Sequence, residues 1–308
     1  MKNKSALKTI NIVLAVILAI VLVLDLILII FDPFYKPVTE QAGGKTEVVD
    51  VAVIDEFVAG TYGGVEFASM EDVVDYYNAA YDKTKTETIE YIDDQGNTQV
   101  WYKLLGAESL AVSDVKVDGK ENQIINTLID ELVPALYQPG LSGLSPSANR
   151  NPEMDVDSKG DSLQTSRLVV DDLLAANVKD NGDGTITITL QPKFVNMSMK
   201  GLDAQGHVFT TLDDIGSVVE AIPGFSWATG TTEENCNVNY YGSTATAVID
   251  VANGTVISGD YVMQAHIDIQ HASIAVISDK SMTGLVTYTV QYPASAEYMM
   301  ETKGVQVK

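Results

Sequence analysis

From Ile10 to Phe31 the chain is apolar at every position except Asn11 and Asp25, and these 22 positions at ~1.5 Å each reach ~33 Å, enough for a ~30 Å hydrocarbon core. About 17 Leu, Ile and Val at ~0.3 to 0.6 kcal/mol each outweigh the ~2.5 to 3.5 kcal/mol that one acid costs at mid-helix. Lys2, Lys4 and Lys8 precede the run while Asp32 and Glu40 follow it, which puts the N-terminus in the cytoplasm and the rest of the chain outside. A cleaved signal peptide would have a shorter apolar region and a small-x-small site. The nearest small residue after the run is Ala42, with Glu40 two positions before it, a poor cleavage context. The pattern therefore predicts a cytoplasmic tail over 1–8 and an uncleaved transmembrane signal anchor over 9–32. Asp25 falls in the outer third of the span, either as a polar contact with another transmembrane helix or as an acid tolerated near the interface.

Residues 33–47 carry two prolines and a Gly pair with no apolar period, and read as a stalk. The folded part is expected over 48–308. Val49, Val51 and Val53 alternate as a first strand. Ser69 caps a helix with Asp72 three residues on, and Val73, Tyr77, Ala80, Tyr81 and Thr84 recur at helical spacing. Ile89–Ile92 and Gln99–Leu105 flank DDQGN as a hairpin, with Val100, Tyr102 and Leu104 on one face. A second helix is expected over 120–136 from the stripe Ile125, Leu128, Ile129, Leu132 and Leu136. The Gly-, Pro-, Ser- and Asn-rich stretch 138–162 is a mobile lip or a joint between two lobes. After a helical turn near Val170, residues 175–191 form a hairpin across DNGDG with Ile186, Ile188 and Leu190 alternating against threonines. A third helix follows Thr211, burying Leu212, Ile215, Val219 and Ile222 before Pro223 and Gly224. The most strand-like region comes last. Ala245 to Val251 and Tyr261 to Ile269 alternate around an Asn253-Gly254 turn, and Val286 to Tyr292 adds a further strand. Hairpins with one apolar and one Thr-rich face, together with amphipathic helices, specify an α+β fold: an antiparallel, curved sheet packed on one face by helices.

Charge narrows the partners. The formal net charge is −23, and without Lys2, Lys4, Lys8 and Asp25 the remainder carries roughly −25, which repels nucleic acid and anionic headgroups. The membrane is a partner only through the N-terminal helix; a protein or a small molecule is the other expected partner. Cys236 is alone, so no intrachain disulfide forms.

Candidate chemistry is sparse. Asp180-Asn181-Gly182-Asp183-Gly184 has the oxygen-rich composition of a calcium loop, but Lys179 and Leu190 fall where the first and last ligands belong, and a hairpin turn accounts for Asp180, Asn181 and Asp183 equally. His266 and His271 lie five apart on opposite faces of a strand, while His266 and Asp268 share one; His207 has nothing near it in sequence. Acids around Cys236 raise rather than lower a thiol pKa. GxSxG, HExxH, P-loop and GxGxxG motifs are absent, so no catalytic residue, metal or cofactor is assigned, and enzymatic activity is disfavoured. Phe225, Trp227, Tyr240 and Tyr241 are either core or the lining of an apolar ligand pocket.

The run from Ser69 to Thr86, built as Y-N-x-A followed by K-x-K-T, resembles a helix of uncharacterised secreted or membrane-anchored proteins of Gram-positive Firmicutes, and Asp180 to Leu190 is similar to their matching hairpin. The resemblance covers about a tenth of the chain and implies an envelope location without an activity or a site residue. The expectation is a single-pass cell-membrane protein displaying an extracellular binding or interaction module. A lipid or small-ligand carrier, and a cell-wall or glycan hydrolase, are the alternatives.

Overall fold

The computed structural model describes residues 51–101, 106–121, 126, 140–146, 154–212, 225–274 and 277–308. The apolar run 10–31 with Asp25, the stalk, nearly all of the 120–136 stripe and most of the 211–222 helix lie outside them. Among the described residues no helix is long and apolar enough to cross a membrane.

The fold is α+β and rich in antiparallel sheet. Eleven of the described strands form one sheet, whose spine runs β6 (Lys120–Glu121), β5 (Gly106–Val117), β15 (Ile277–Tyr292), β14 (Thr255–Ile274), β13 (Thr244–Asp250), β9 (Thr185–Pro192) and β8 (Leu173–Asp180). Strands β14 and β15 make a long hairpin arm. Beyond the end of β13, the free edge of β14 pairs with β12 (Cys236–Tyr240) and then with β11 (Phe225–Trp227); β10 (Val195–Asn196) adds to β12, and β7 (Leu141–Ser142) to β5. Two small sheets complete the set: β1 (Gly60–Tyr62) with β2 (Val65–Phe67), and β16 (Val305–Val307) with β3 (Ile89–Asp93) and β4 (Thr98–Trp101).

Alternation sorts the two faces of the large sheet. Ile186, Ile188, Leu190, Ala245, Ala247, Ile249, Tyr261, Met263, Ala265 and Ile269 point inward and are nearly inaccessible. Helix α1 (Met70–Thr86) lies against this inner face. It starts where expected: the Ser69 hydroxyl accepts the Asp72 N–H, and the Asp72 carboxylate accepts the N–H groups of Ala68 and Ser69. Val73, Val74, Tyr77 and Tyr81 form its buried stripe, together worth on the order of 8 kcal/mol of transfer free energy as an upper estimate. The Tyr77 and Tyr261 hydroxyls meet at 3.0 Å inside this contact. A second, small core of Tyr91, Trp101, Met299 and Val305 joins β3, β4, β16 and a helix α3 (Ala296–Lys303).

Several expectations are corrected. Residues 51–59 form no strand: Gln191 holds them through its side chain, accepting from Ile54 N–H and donating to the Ala52 carbonyl, and Val53 stays exposed. The helix expected from Lys120 does not begin there, because Asp118 and Gly119 adopt positive φ and fold 120–121 back onto β5. In the β3–β4 hairpin Val100 faces solvent, and Tyr91 and Trp101 face inward instead. Strand β5 and helix α3 were not expected. The described parts of 138–162 are tied into the body: Leu144, Ser145, Asp155 and Asp157 are buried.

Candidate functional site

Strand alternation divides the four aromatic residues of the expected pocket. Tyr240 points inward, is 1% exposed, and its hydroxyl accepts the Leu212 N–H at 3.2 Å. Tyr241, one position on, lies on the outer face. Phe225 and Trp227, at the far end of the arm, pack edge to face with centroids 4.6 Å apart on the inner side, where Trp227 Nε1 donates to the Thr232 hydroxyl at 2.9 Å. A short helix α2 (Thr232–Asn235) supplies that hydroxyl. The four do not line one pocket.

The outer face carries the more informative arrangement. Tyr241 lies flat on His266, centroids 3.7 Å apart and planes 4° from parallel, and Phe194 stacks beyond Tyr241 at 6.3 Å and 27°. Phe194 sits in the corner between β9 and β10 and, at 51%, is the only aromatic ring more than half exposed among the described residues. Beside this column, Asn196 Nδ2 donates to Asn239 Oδ1 at 2.9 Å and to Asn237 Oδ1 at 3.5 Å, which leaves the Asn237 and Asn239 amide N–H groups without a protein acceptor among the described residues. Asn239 and Asn237 stand opposite His266 and Asp268 in the ladder, and Gln270 donates to Asp268. Burial lowers the His266 pKa, against a hydrogen bond to the Tyr241 backbone and the charge of Asp114, so the ring is neutral at pH 7. His266 and Asp268 share a face as expected, but no hydrogen bond joins them.

Reading outward positions across the ladder gives three consecutive rows: Thr244, Val262, Thr289, Ser109; then Gln264, Thr287, Ala111; then Asn239, His266, Leu285, Ser113. None contains an acid or a cation at pH 7. On a chain of formal charge −23, this is a neutral, hydroxyl- and amide-rich plateau.

Several titratable groups elsewhere are committed to structure. In the β8–β9 turn, Asp180 accepts the N–H groups of Gly182 and Gly63, Asp183 accepts from Thr185, and Asn181 donates to Thr185 and Thr187. The Gly63 bond to Asp180 and the Thr185 hydroxyl bond to Asp183 lead in lowering their pKa values. Gly182 and Gly184 supply the positive φ of a tight hairpin, so these side chains close a turn. No group of three or more His, Cys, Asp or Glu suited to a metal occurs among the described residues. His207 pairs with Asp172 at 2.8 Å, a partner 35 positions away that no local pattern announces. Across the sheet arm, His271 lies 2.6 Å from Asp279, both half exposed.

Under the C-terminal half of α1 lies a buried ionic cluster that sequence reading missed. Arg167 Nη1 contacts Asp157 at 2.6 Å and the Gly201 carbonyl at 2.8 Å, and Nη2 donates to the Ser162 carbonyl. Asp157 also accepts the N–H groups of Lys159 and Asp161; burial raises its pKa, but these bonds outweigh it and the net shift is downward. Lys85, fully buried, donates to the Leu163 carbonyl; burial lowers its pKa against the charges of Asp155 and Asp82. The cluster fastens 155–167 and 198–206 to α1. A partly open cleft of about 280 Å³ lies nearby, lined by Thr84, Glu87, Ile89, Thr255, Val256, Ile257 and Tyr292.

Comparison with protein-family models, with curated proteins and with solved structures finds no match to this chain.

Proposed function

We propose that the chain is a cell-membrane protein, anchored through 9–32 with its N-terminus in the cytoplasm, that displays an extracytoplasmic binding module whose binding surface is the outer face of the large sheet. The observation that carries this reading is the exposed Phe194–Tyr241–His266 column beside asparagines with unspent donors. An exposed ring flanked by uncommitted polar groups is what recognition surfaces combine, whereas a merely solvated sheet face needs no aromatic on it. The resemblance of Ser69–Thr86 to helices of Gram-positive envelope proteins supports an envelope location within this reading.

The carrier alternative is weaker, because Tyr240 and its neighbours fill the core under the sheet and the cleft beside α1 falls just under the ~300 Å³ at which ligand pockets usually begin. A hydrolase needs two carboxylates facing substrate across a cleft; Asp155 and Asp157 are instead buried, with Asp157 neutralised by Arg167.

Two measurements test the proposal. Protease added to intact protoplasts should degrade 48–308 and spare an N-terminal tag; a protected domain overturns the topology. The full chain in lipid nanodiscs should cosediment with isolated Gram-positive cell walls, and Phe194→Asp, whose site is exposed, should abolish this without moving the unfolding midpoint. Cosedimentation indifferent to Phe194 removes the sheet face from the reading.

A further inference from the structure

Resting on the binding-module reading, we propose that the Phe194 ring column with Asn196, Asn237 and Asn239 is a subsite for an uncharged glycan chain that continues across the neutral rows of the sheet. A pyranose ring presents a patch of C–H groups on its faces and hydroxyls around its rim. The first needs an exposed, electron-rich ring, which Phe194 supplies, held in place by Tyr241 stacked beneath it and His266 beneath that. The second needs planar groups that both donate and accept: the Asn237 and Asn239 N–H groups are unspent, and the Asn196 carbonyl oxygen takes no protein donor among the described residues. The pre-existing Asn196–Asn239 bond holds two of these amides in register, so little side-chain freedom is lost on binding.

The charge pattern chooses among ligand classes. A polyanion meets Asp268 and Asp260 at the borders of the neutral rows and the repulsion of the whole chain. A polycation finds its carboxylates, Asp260, Asp268 and Asp114, only at the borders of these rows and none within them. An apolar partner is opposed by Thr, Ser and Gln at most positions. Three rows across four strands cover roughly 20 by 20 Å, from ~4.8 Å between strands and ~6.6 Å between rows. That is about half the ~800 Å² each partner contributes to a stable protein–protein interface, but it suffices for a short oligosaccharide lying flat.

The test is isothermal titration of the full chain in lipid nanodiscs with chitohexaose and cellohexaose as neutral probes and polygalacturonate as the charged one. At least one neutral hexasaccharide should bind in the micromolar to millimolar range, polygalacturonate should not, and Phe194→Ala and Asn239→Ala should each weaken binding about tenfold, while Phe194→Tyr keeps it. Unchanged unfolding midpoints establish that the variants fold. If neither neutral probe binds at millimolar concentration although cell-wall cosedimentation still depends on Phe194, the glycan assignment falls and the binding face stands, with a protein partner indicated. Neutral-probe binding that ignores both alanine variants places the sugar elsewhere and overturns the subsite. Cosedimentation independent of Phe194 takes down the face and the subsite together.

Discussion

The hydroxyls of Tyr77 on α1 and Tyr261 on β14 are each other's partner at 3.0 Å, with the residues 3% and 1% exposed and no further hydrogen bond to either among the described residues. Burial raises both pKa values, so both are neutral phenols. Replacing either one with Phe leaves the other hydroxyl buried and unmatched, which costs about 1 to 3 kcal/mol. Replacing both removes the desolvated pair together. What is lost is then one net hydrogen bond, ~0.5 to 1.5 kcal/mol, largely offset by the lower cost of burying two apolar rings. The double variant should therefore be no less stable than either single, with a coupling of at least ~1.5 kcal/mol. Urea unfolding followed by fluorescence of Trp101 and Trp227 measures all four chains of the cycle. Costs that add within ~0.5 kcal/mol would show that the two hydroxyls are not paired in solution, and with them the docking of α1 on the sheet would have to be redrawn.

Asp157→Asn removes the charge facing Arg167 inside the buried cluster and should cost about 2 to 3 kcal/mol, somewhat under the usual penalty for breaking a buried pair because Arg167 keeps 30% of its side-chain exposure; a midpoint shift worth under ~0.5 kcal/mol would refute the clamp. Gly206→Ala places a methyl group into the Met199 carbonyl oxygen and 2.9 Å from Gly201 N, where backbone has to move, so the loss should exceed ~2 kcal/mol; tolerance would mean that 199–206 is packed otherwise. In acid, Asp72, Asp93, Asp157, Asp172, Asp180, Asp183 and Asp250 all have folded-state pKa values below the ordinary carboxylate value, so the stability they add is complete above about pH 5 and lost as pH falls through those lowered values. Urea midpoints should accordingly drop below about pH 4; flat or rising midpoints there would contradict the sign, even though Asp82, raised by burial, contributes in the opposite direction.

What the chain discloses by itself is whatever depends on local periodicity. Helix α1 is legible to its cap because Ser69, Asp72 and the Val73–Tyr77–Ala80–Tyr81 spacing all lie within one window. The β8–β9 and β13–β14 hairpins are legible because Gly182, Gly184 and Gly254 mark turns between alternating runs. Strand β5 was missed because a positive-φ residue, Asp114, interrupts its alternation and puts a Ser-Asp pair in the middle of the strand. The valines at 51 and 53 misled for the opposite reason: they alternate, yet no strand pairs with them. The ring column was half visible. The sequence marks Tyr241 but pairs it with Tyr240, which one-residue alternation sends to the other face, and it gives no sign of the ring that covers His266. Phe194, Asn196 and Asn239 meet there only through the β10–β12–β14 pairing, and Arg167 meets Asp157 only through loop docking.

The order of strands in the sheet also governs when the fold can close. Strand β5 lies early in the chain, but Val117 pairs with Met282, about 165 positions later, and β3 waits for β16 at the last few residues. At synthesis rates of ~5 to 20 residues per second, β5 spends roughly 10 to 30 s without its main partner. During that interval the central rows cannot assemble, so the spine of the sheet closes only when nearly the whole length has been made, although local units such as α1 and the β8–β9 hairpin need no part of β15. A chain that must pass through a narrow conduit before it folds benefits from that delay, and loss of even the last thirty residues would leave β14 with an unzipped edge and a tendency to self-associate.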